Sequence, residues 1–176
     1  MAATTTDGGV AVGPVPFKDI CGAMPLPRAA IPRPSDLRQW RASRRGDVVL
    51  VTTPKCGTTW LKALAFATMA RGAHPPGSAG HPLRRLNPHD CVPFMEMLFA
   101  TESGAKMDAL PSLRLMATHM QHSVLPASIT RNPDCKIIYM CRDPKDMIVS
   151  MFHFGRKIAP DISFPDVFEA VCEGTT

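Results

Sequence analysis

The chain has 176 residues and a mass of 19.1 kDa, with 45% hydrophobic and 20% charged residues, which suits one domain with a real core and excludes a disordered polyelectrolyte. Eighteen prolines and twelve glycines occur without a collagen period, so a loop-rich folded domain is expected. Twenty basic residues against fifteen acidic ones give a formal charge of +5 and a pI of 9.1. That balance favours an anionic ligand, but the one dense basic cluster, Arg38, Arg41, Arg44 and Arg45, and the single tyrosine do not make the aromatic and basic surface of a sheet-type RNA reader, so no nucleic acid partner is expected.

In chain order, residues 1 to 36 carry Pro14, Pro16, Pro25, Pro27, Pro32 and Pro34, which break any helix or strand that starts. They lack the basic flank and long apolar stretch of a secretory signal, and no apolar run reaches 18 residues, so a cytoplasmic protein without a membrane span is expected. Leu37 to Arg45 suits a short polar helix stopped by Gly46. Residues 1–46 are thus expected to be an extended or partly disordered segment, and 47–176 the folded part. Six scattered cysteines, without zinc-site spacing or the density of a disulfide framework, are expected to be reduced.

From Asp47 to Thr53 the apolar residues are consecutive and β-branched, the pattern of a parallel strand covered on both faces. A tight loop, Pro54 to Thr59, leads into a helix from about Trp60 to Arg71, with Gly72 as its stop. The turn-rich residues 72 to 110 form an insertion, with a short helix predicted in the run from Pro93 to Ser103. A second strand is predicted from Leu113 to Thr118 and a third from Lys136 to Cys141. Asp143 then caps, and Pro144 starts, a helix reaching about Phe154. A last helix runs from the cap Ser163 to Glu173, with Gly174 as its stop. Strands alternating with helices predict an α/β fold, a three-layer parallel sheet flanked by helices.

The handover from buried strand to helix at Thr53, Pro54, Lys55, Cys56, Gly57, Thr58, Thr59 and Trp60 aims main-chain N–H groups and the positive helix end at one point. An anion site is expected there, with Lys55 as a mobile charge, Gly57 permitting close approach and the threonine hydroxyls as further donors. The alternative is a tight turn with a solvated lysine. The mononucleotide loop G-x-x-x-x-G-K-[ST] does not fit, because Lys55 precedes Gly57 and Thr58 follows it. Arg142, not a magnesium-binding acid, follows the third strand, which disfavours a metal-dependent kinase or GTPase. Arg142 suits a bidentate phosphate clamp, or else an ion pair with Asp143 or Asp146. Ser150 lies two turns into the next helix.

The segments Pro54 to Thr68 and Tyr139 to Phe154 together resemble the two cofactor signatures of the cytosolic sulfotransferases, especially their plant members, and Asn87 to Phe99 and Leu113 to Met120 are also similar. The resemblance implies metal-free transfer of a sulfonate group from 3′-phosphoadenosine 5′-phosphosulfate (PAPS) to a hydroxyl of a small-molecule acceptor. It implies that Lys55, Cys56, Gly57, Thr58, Thr59 and Trp60 surround the 5′-phosphosulfate, with Trp60 near the adenine, and that Arg142 and Ser150 hold the 3′-phosphate. The family's Thr-His pattern falls on Thr118-His119, which makes His119 the expected base, a role open to a neutral imidazole at pH 7; Lys55 would offset charge on the departing phosphate. Gln121 and His122 stand where the family commonly has proline two residues after the histidine, so a different acceptor loop is expected and His122 is a rival base. Phe94 and Met95 are candidate acceptor contacts. A zinc site from His89, Cys91, His119 and His122 matches no usual ligand spacing. Family members continue past this endpoint with a glycine-rich Arg-Lys-Gly segment, so the resemblance implies a chain incomplete at its C-terminal side, and a nucleotide-holding remnant without turnover is the alternative function.

Overall fold

A computed structural model of the chain describes residues 46–100 and 113–174; the expectations for residues 1–45, including the segment boundary at 46 and the polar helix from Leu37, lie outside these. Val48–Thr52 forms β1, Leu115–Thr118 β2 and Lys136–Met140 β3. All run parallel in the order β2-β1-β3. The first predicted strand is therefore central. Its Val49 and Val51 pack with Met95, Met116 and Ile129 on one face, while Leu50 packs with Val92 and Ala117 on the other, so β1 is covered twice as its unbroken apolar run requires. Full burial of Val49, Leu50 and Val51 contributes roughly 1.5–3 kcal/mol each. β3 is an edge with Ile138 and Tyr139 exposed.

Thr58–Met69 forms α1, whose Leu61 and Ala65 pack toward Leu50. It ends at Ala70, short of the predicted Arg71, because the chain turns there, with the Ala73 and His74 amides both donating to the Ala70 carbonyl. Pro88–Cys91 forms α2, begun by a reciprocal capping box between Asn87 and Asp90. Met95–Ala100 forms α3, within the predicted run, and Ala127–Thr130 forms α4. Phe94 pairs as a single parallel bridge with Ala117 of β2, so Phe94 and Met95 point to opposite sides of the sheet.

Pro144–Ile158 forms α5, with Asp143 accepting from the Lys145 amide as the predicted cap. The helix outruns its predicted end by a turn, because Gly155 is buried within it and Ala159, before Pro160, is the residue that leaves the α region. Phe164–Cys172 forms α6, capped by Ser163 as predicted. α5 and α6 share a core of Ile148, Met151, Val167 and Ala170.

At the N-terminal edge of the sheet Asp47 and Arg114, each about 1% exposed in its side chain, form a bidentate pair through Nε at 3.0 Å and Nη2 at 2.5 Å. Both precede strands, so the pair clamps β1 and β2 in register. Removing one partner strands a buried charge, at a cost of about 3–5 kcal/mol. Arg114→Ala is therefore expected to lower the urea midpoint of unfolding by that equivalent, and the double replacement Asp47→Leu with Arg114→Met to recover much of it; a midpoint unmoved in Arg114→Ala would show that the clamp does not hold the sheet.

Candidate active site

Because the strands are parallel, Thr52, Thr118 and Met140 end on one edge of the sheet, where Thr52 pairs with Met140 and Val51 with Thr118. The chain leaves this edge through the predicted anion loop, the predicted histidine and the predicted arginine. Open α/β sheets bind ligands at such an edge.

The loop after β1 turns twice through left-handed backbone, at Lys55 with φ of 63° and at Gly57 with φ of 91°. A side chain at 57 would be strained and would meet the Met140 methyl at 3.1 Å, so glycine is required by conformation and by proximity to β3. Gly57 precedes α1, and no described residue accepts from the amides of Thr58, Thr59 and Trp60. These are the orphan donors of a helix start. Both threonine hydroxyls also have a protein partner: Thr58 Oγ1 lies 2.6 Å from Thr52 Oγ1, and Thr59 Oγ1 lies 3.1 Å from His89 Nε2. Cys56 is buried, its amide donating to the Thr53 carbonyl and its Sγ 2.7 Å from Thr53 Oγ1. The loop therefore offers main-chain amides and Lys55, and each threonine hydroxyl, already in one hydrogen bond, can make a second. Trp60 is 76% exposed, its indole face free for stacking.

Lys55 Nζ lies 4.0 Å above the ring of Phe154 on α5, which brings the loop against the helix carrying Ser150, one turn earlier. Burial, and then the neighbouring Lys157 charge, push the Lys55 ammonium below its ordinary range; an anion arriving at the loop would oppose both. Arg142 is exposed and makes a 3.4 Å contact with Asp146, the ion pair allowed for in the sequence. An exposed pair of this kind contributes at most about 1 kcal/mol, so the guanidinium is readily diverted to a stronger anion. Ser150 is half-buried.

His119 is the first residue beyond β2 and half-buried. Its Nδ1 lies 2.7 Å from the Thr52 carbonyl oxygen. A carbonyl only accepts, so Nδ1 carries the proton and Nε2 keeps its lone pair. His119 lines an open cavity of about 340 Å³ with Thr52, Thr53, Met120, Gln121, His122 and Tyr139. His122 is exposed at the start of a 3-10 turn, and no described residue hydrogen-bonds its ring; the two histidines share the cavity, but one tautomer is selected only at His119. Neither predicted acceptor contact lines this cavity: Phe94 lies 4.9 Å from the His119 ring, and Met95 is fully buried in the core. Among the described residues no group of three or more His, Cys, Asp or Glu is placed to hold a metal ion, the set His89, Cys91, His119 and His122 included.

Behind this edge lies a charged network without a counterpart in the sequence expectations. Lys62 of α1 is fully buried, its Nζ 3.1 Å from His89 Nδ1 and 3.2 Å above the Phe94 ring centroid. Burial pushes its ammonium down to about 7, against a smaller upward pull from Glu96. Burial, then Lys62 and His119, also hold His89 below the ordinary imidazole range. Glu96 of α3, 3% exposed, accepts at Oε1 from Thr118 Oγ1 and from the His119 amide, each at 2.6 Å. The signals were a lysine on the apolar stripe of Leu61 and Ala65, and a lone carboxylate in the apolar run from Val92 to Phe99. Either pattern forces burial of a charge, which requires a partner.

The family model described as Sulfotransferase domain matches residues 45–176; the chain belongs to the sulfotransferase-domain family. Among curated relatives, the chain is 48% identical to Cytosolic sulfotransferase 12 of Arabidopsis thaliana over 137 residues, covering 75% of this chain and 42% of that protein. It is 40% identical to Cytosolic sulfotransferase 14 of the same plant over 136 residues, covering 73% and 39%. The chain thus spans about two fifths of the length of these relatives. Among solved structures, an Arabidopsis thaliana sulphotransferase superimposes with a TM-score of 0.68 at 43% identity, over 83% of this chain and 50% of that one. Mouse sulfotransferase SULT7A1 complexed with PAP superimposes with a TM-score of 0.54 at 27% identity, over 77% and 44%. The resemblance read from the sequence, the family and its parallel α/β fold, holds. Among the described residues no helix is long and apolar enough to cross a membrane.

The Lys62 shift has a signed consequence. Between pH 7 and the ordinary lysine range the unfolded chain binds the extra proton, so stability rises with pH through this window and the penalty is fully present below pH 7. Relative to Lys62→Met, the wild type is expected to gain up to about 2 kcal/mol between pH 7 and 9, measured by urea denaturation at several pH values. Parallel pH curves for the two proteins would show that Lys62 does not titrate there.

Proposed function

We propose that this chain carries the donor-binding and proton-accepting part of a sulfotransferase that moves a sulfonate group from PAPS to a hydroxyl of a small molecule. The observation that carries the reading is the shared end of β1 and β2, where an anion loop and a histidine with a free Nε2 meet at Thr52. The donor set suits a phosphorylated nucleotide: unpaired helix-start amides, Lys55, and an exposed Arg142 held only by a 3.4 Å contact with Asp146. The mouse relative complexed with PAP supports the same nucleotide.

When bound, PAPS supplies a sulfonate already activated by its link to a phosphate. The amides of Thr58, Thr59 and Trp60, with Lys55, hold that end of the nucleotide, and Trp60 offers its face to the base. Arg142 and Ser150 take the 3′-phosphate. His119 accepts at Nε2 the proton of the acceptor hydroxyl as that oxygen bonds to sulfur, and the Thr52 carbonyl stabilises the resulting imidazolium through Nδ1–H. Lys55 offsets the charge on the phosphate oxygen that keeps the electron pair of the broken sulfur–oxygen bond. The cavity, walled by Met120 and Tyr139 and edged by Gln121 and His122, suits an apolar acceptor bearing one hydroxyl.

Calorimetric titration with PAP and transfer of labelled sulfonate to a panel of phenols and alcohols test this together. Lys55→Ala and Arg142→Ala are each expected to weaken PAP binding by about tenfold or more. His119→Ala is expected to cut turnover by about 10²–10⁴ while leaving PAP affinity within about threefold. A folded wild type that does not bind PAP would overturn the proposal; binding without turnover, indifferent to His119→Ala, would reduce it to a nucleotide-holding module.

A further inference from the structure

We propose that Glu96 is a positioning residue for His119: its buried carboxylate replaces the missing sheet partner of the His119 amide and so keeps the imidazole on the Thr52 carbonyl with Nε2 toward the cavity. The inference rests on the reading of His119 as the base. β2 pairs with β1 only as far as Thr118, so the His119 amide has no ladder acceptor at the point where the chain must turn. Glu96 Oε1 supplies one at 2.6 Å and accepts from the Thr118 hydroxyl at the same distance. That hydroxyl in turn accepts from the Met120 amide at 3.0 Å. One oxygen thus pins Thr118, His119 and Met120, and the 2.7 Å contact from His119 Nδ1 to Thr52 follows from that path.

The arrangement selects the Nδ1–H tautomer, the one that leaves Nε2 able to accept a proton. Glu96 does not line the cavity and acts through the His119 amide and the Thr118 hydroxyl. Lys62, buried on the neighbouring helix, is the cation electrostatically coupled to Glu96, whose other oxygen, Oε2, is buried without a hydrogen-bond partner among the described residues. The two accepted hydrogen bonds need an oxygen, not a charge, so an amide at 96 should preserve the geometry and an apolar side chain should not.

The experiment is nitrogen-15 NMR of the imidazole and main chain of His119, assigned with His119→Ala, in the full chain and in Glu96→Gln and Glu96→Leu. The wild type is expected to show Nδ1–H at His119. Glu96→Gln keeps that tautomer and moves the His119 amide proton upfield, because an amide oxygen accepts less strongly than a carboxylate. Glu96→Leu loses it in favour of Nε2–H. In turnover, Glu96→Leu lowers kcat at least tenfold with KM for PAPS within twofold, and Glu96→Gln stays within threefold of wild type. A folded Glu96→Leu that keeps Nδ1–H, or a Glu96→Gln that leaves the His119 amide proton unmoved, would overturn the proposal, and the second result decides even if Glu96→Leu does not fold. The tautomer is read without turnover, so a chain that transfers no sulfonate yet shows this pattern sinks the functional reading while the positioning role stands.

Discussion

The central strand ends at Thr52, and that residue ties together the segments from which the site is built. Its backbone pairs with Met140 at the end of β3, its hydroxyl meets Thr58 at the start of α1, and its carbonyl accepts from His119 at the end of β2. A parallel sheet makes this possible, since only parallel strands deliver successive chain exits to the same edge. Had β2 run antiparallel, His119 would leave at the opposite edge, near Asp47, and Arg114 would be carried away from its partner.

The two ends of the sheet solve different electrostatic problems. At the N-terminal edge a fully compensated ion pair fixes register and is spent on stability alone. At the C-terminal edge cationic and donor groups are left uncompensated or weakly compensated: the α1 amides, Lys55 over an aromatic ring, and Arg142 in an exposed contact. Such an edge attracts an anion because the protein has not already satisfied it. Glu96 and Lys62 lie between these extremes, buried and coupled but not in direct contact, and their cost is the kind tolerated where a particular geometry must be held.

The strand-loop-helix units were legible because each rests on local chemistry. The apolar run from Val48 and the caps Asp143 and Ser163 act over a few residues and appear in the structure where they were read. Helix ends were less legible. α1 stops before Arg71 and α5 passes Phe154 because chain reversal and burial of Gly155 override local stop signals. Met95 was read as a candidate acceptor contact because it lies in an apolar, proline-rich insertion; packing with Val49 and Met116 places it in the core instead.

By itself the sequence determined the family, the order of the three strands and of the longer helices, and which residues could bind an anion or accept a proton, because motif spacing and residue chemistry are properties of short segments. Only the tertiary structure decided the tautomer of His119, the occupation of the Thr58 and Thr59 hydroxyls, and the burial of Lys62 and Glu96. Apart from the Thr52–Thr58 contact, which spans only six residues, these depend on contacts between residues far apart in the chain, 67 positions for Thr52 and His119 and 23 for Glu96 and His119. A hydrogen bond of that kind exists only once the sheet has brought its edges together.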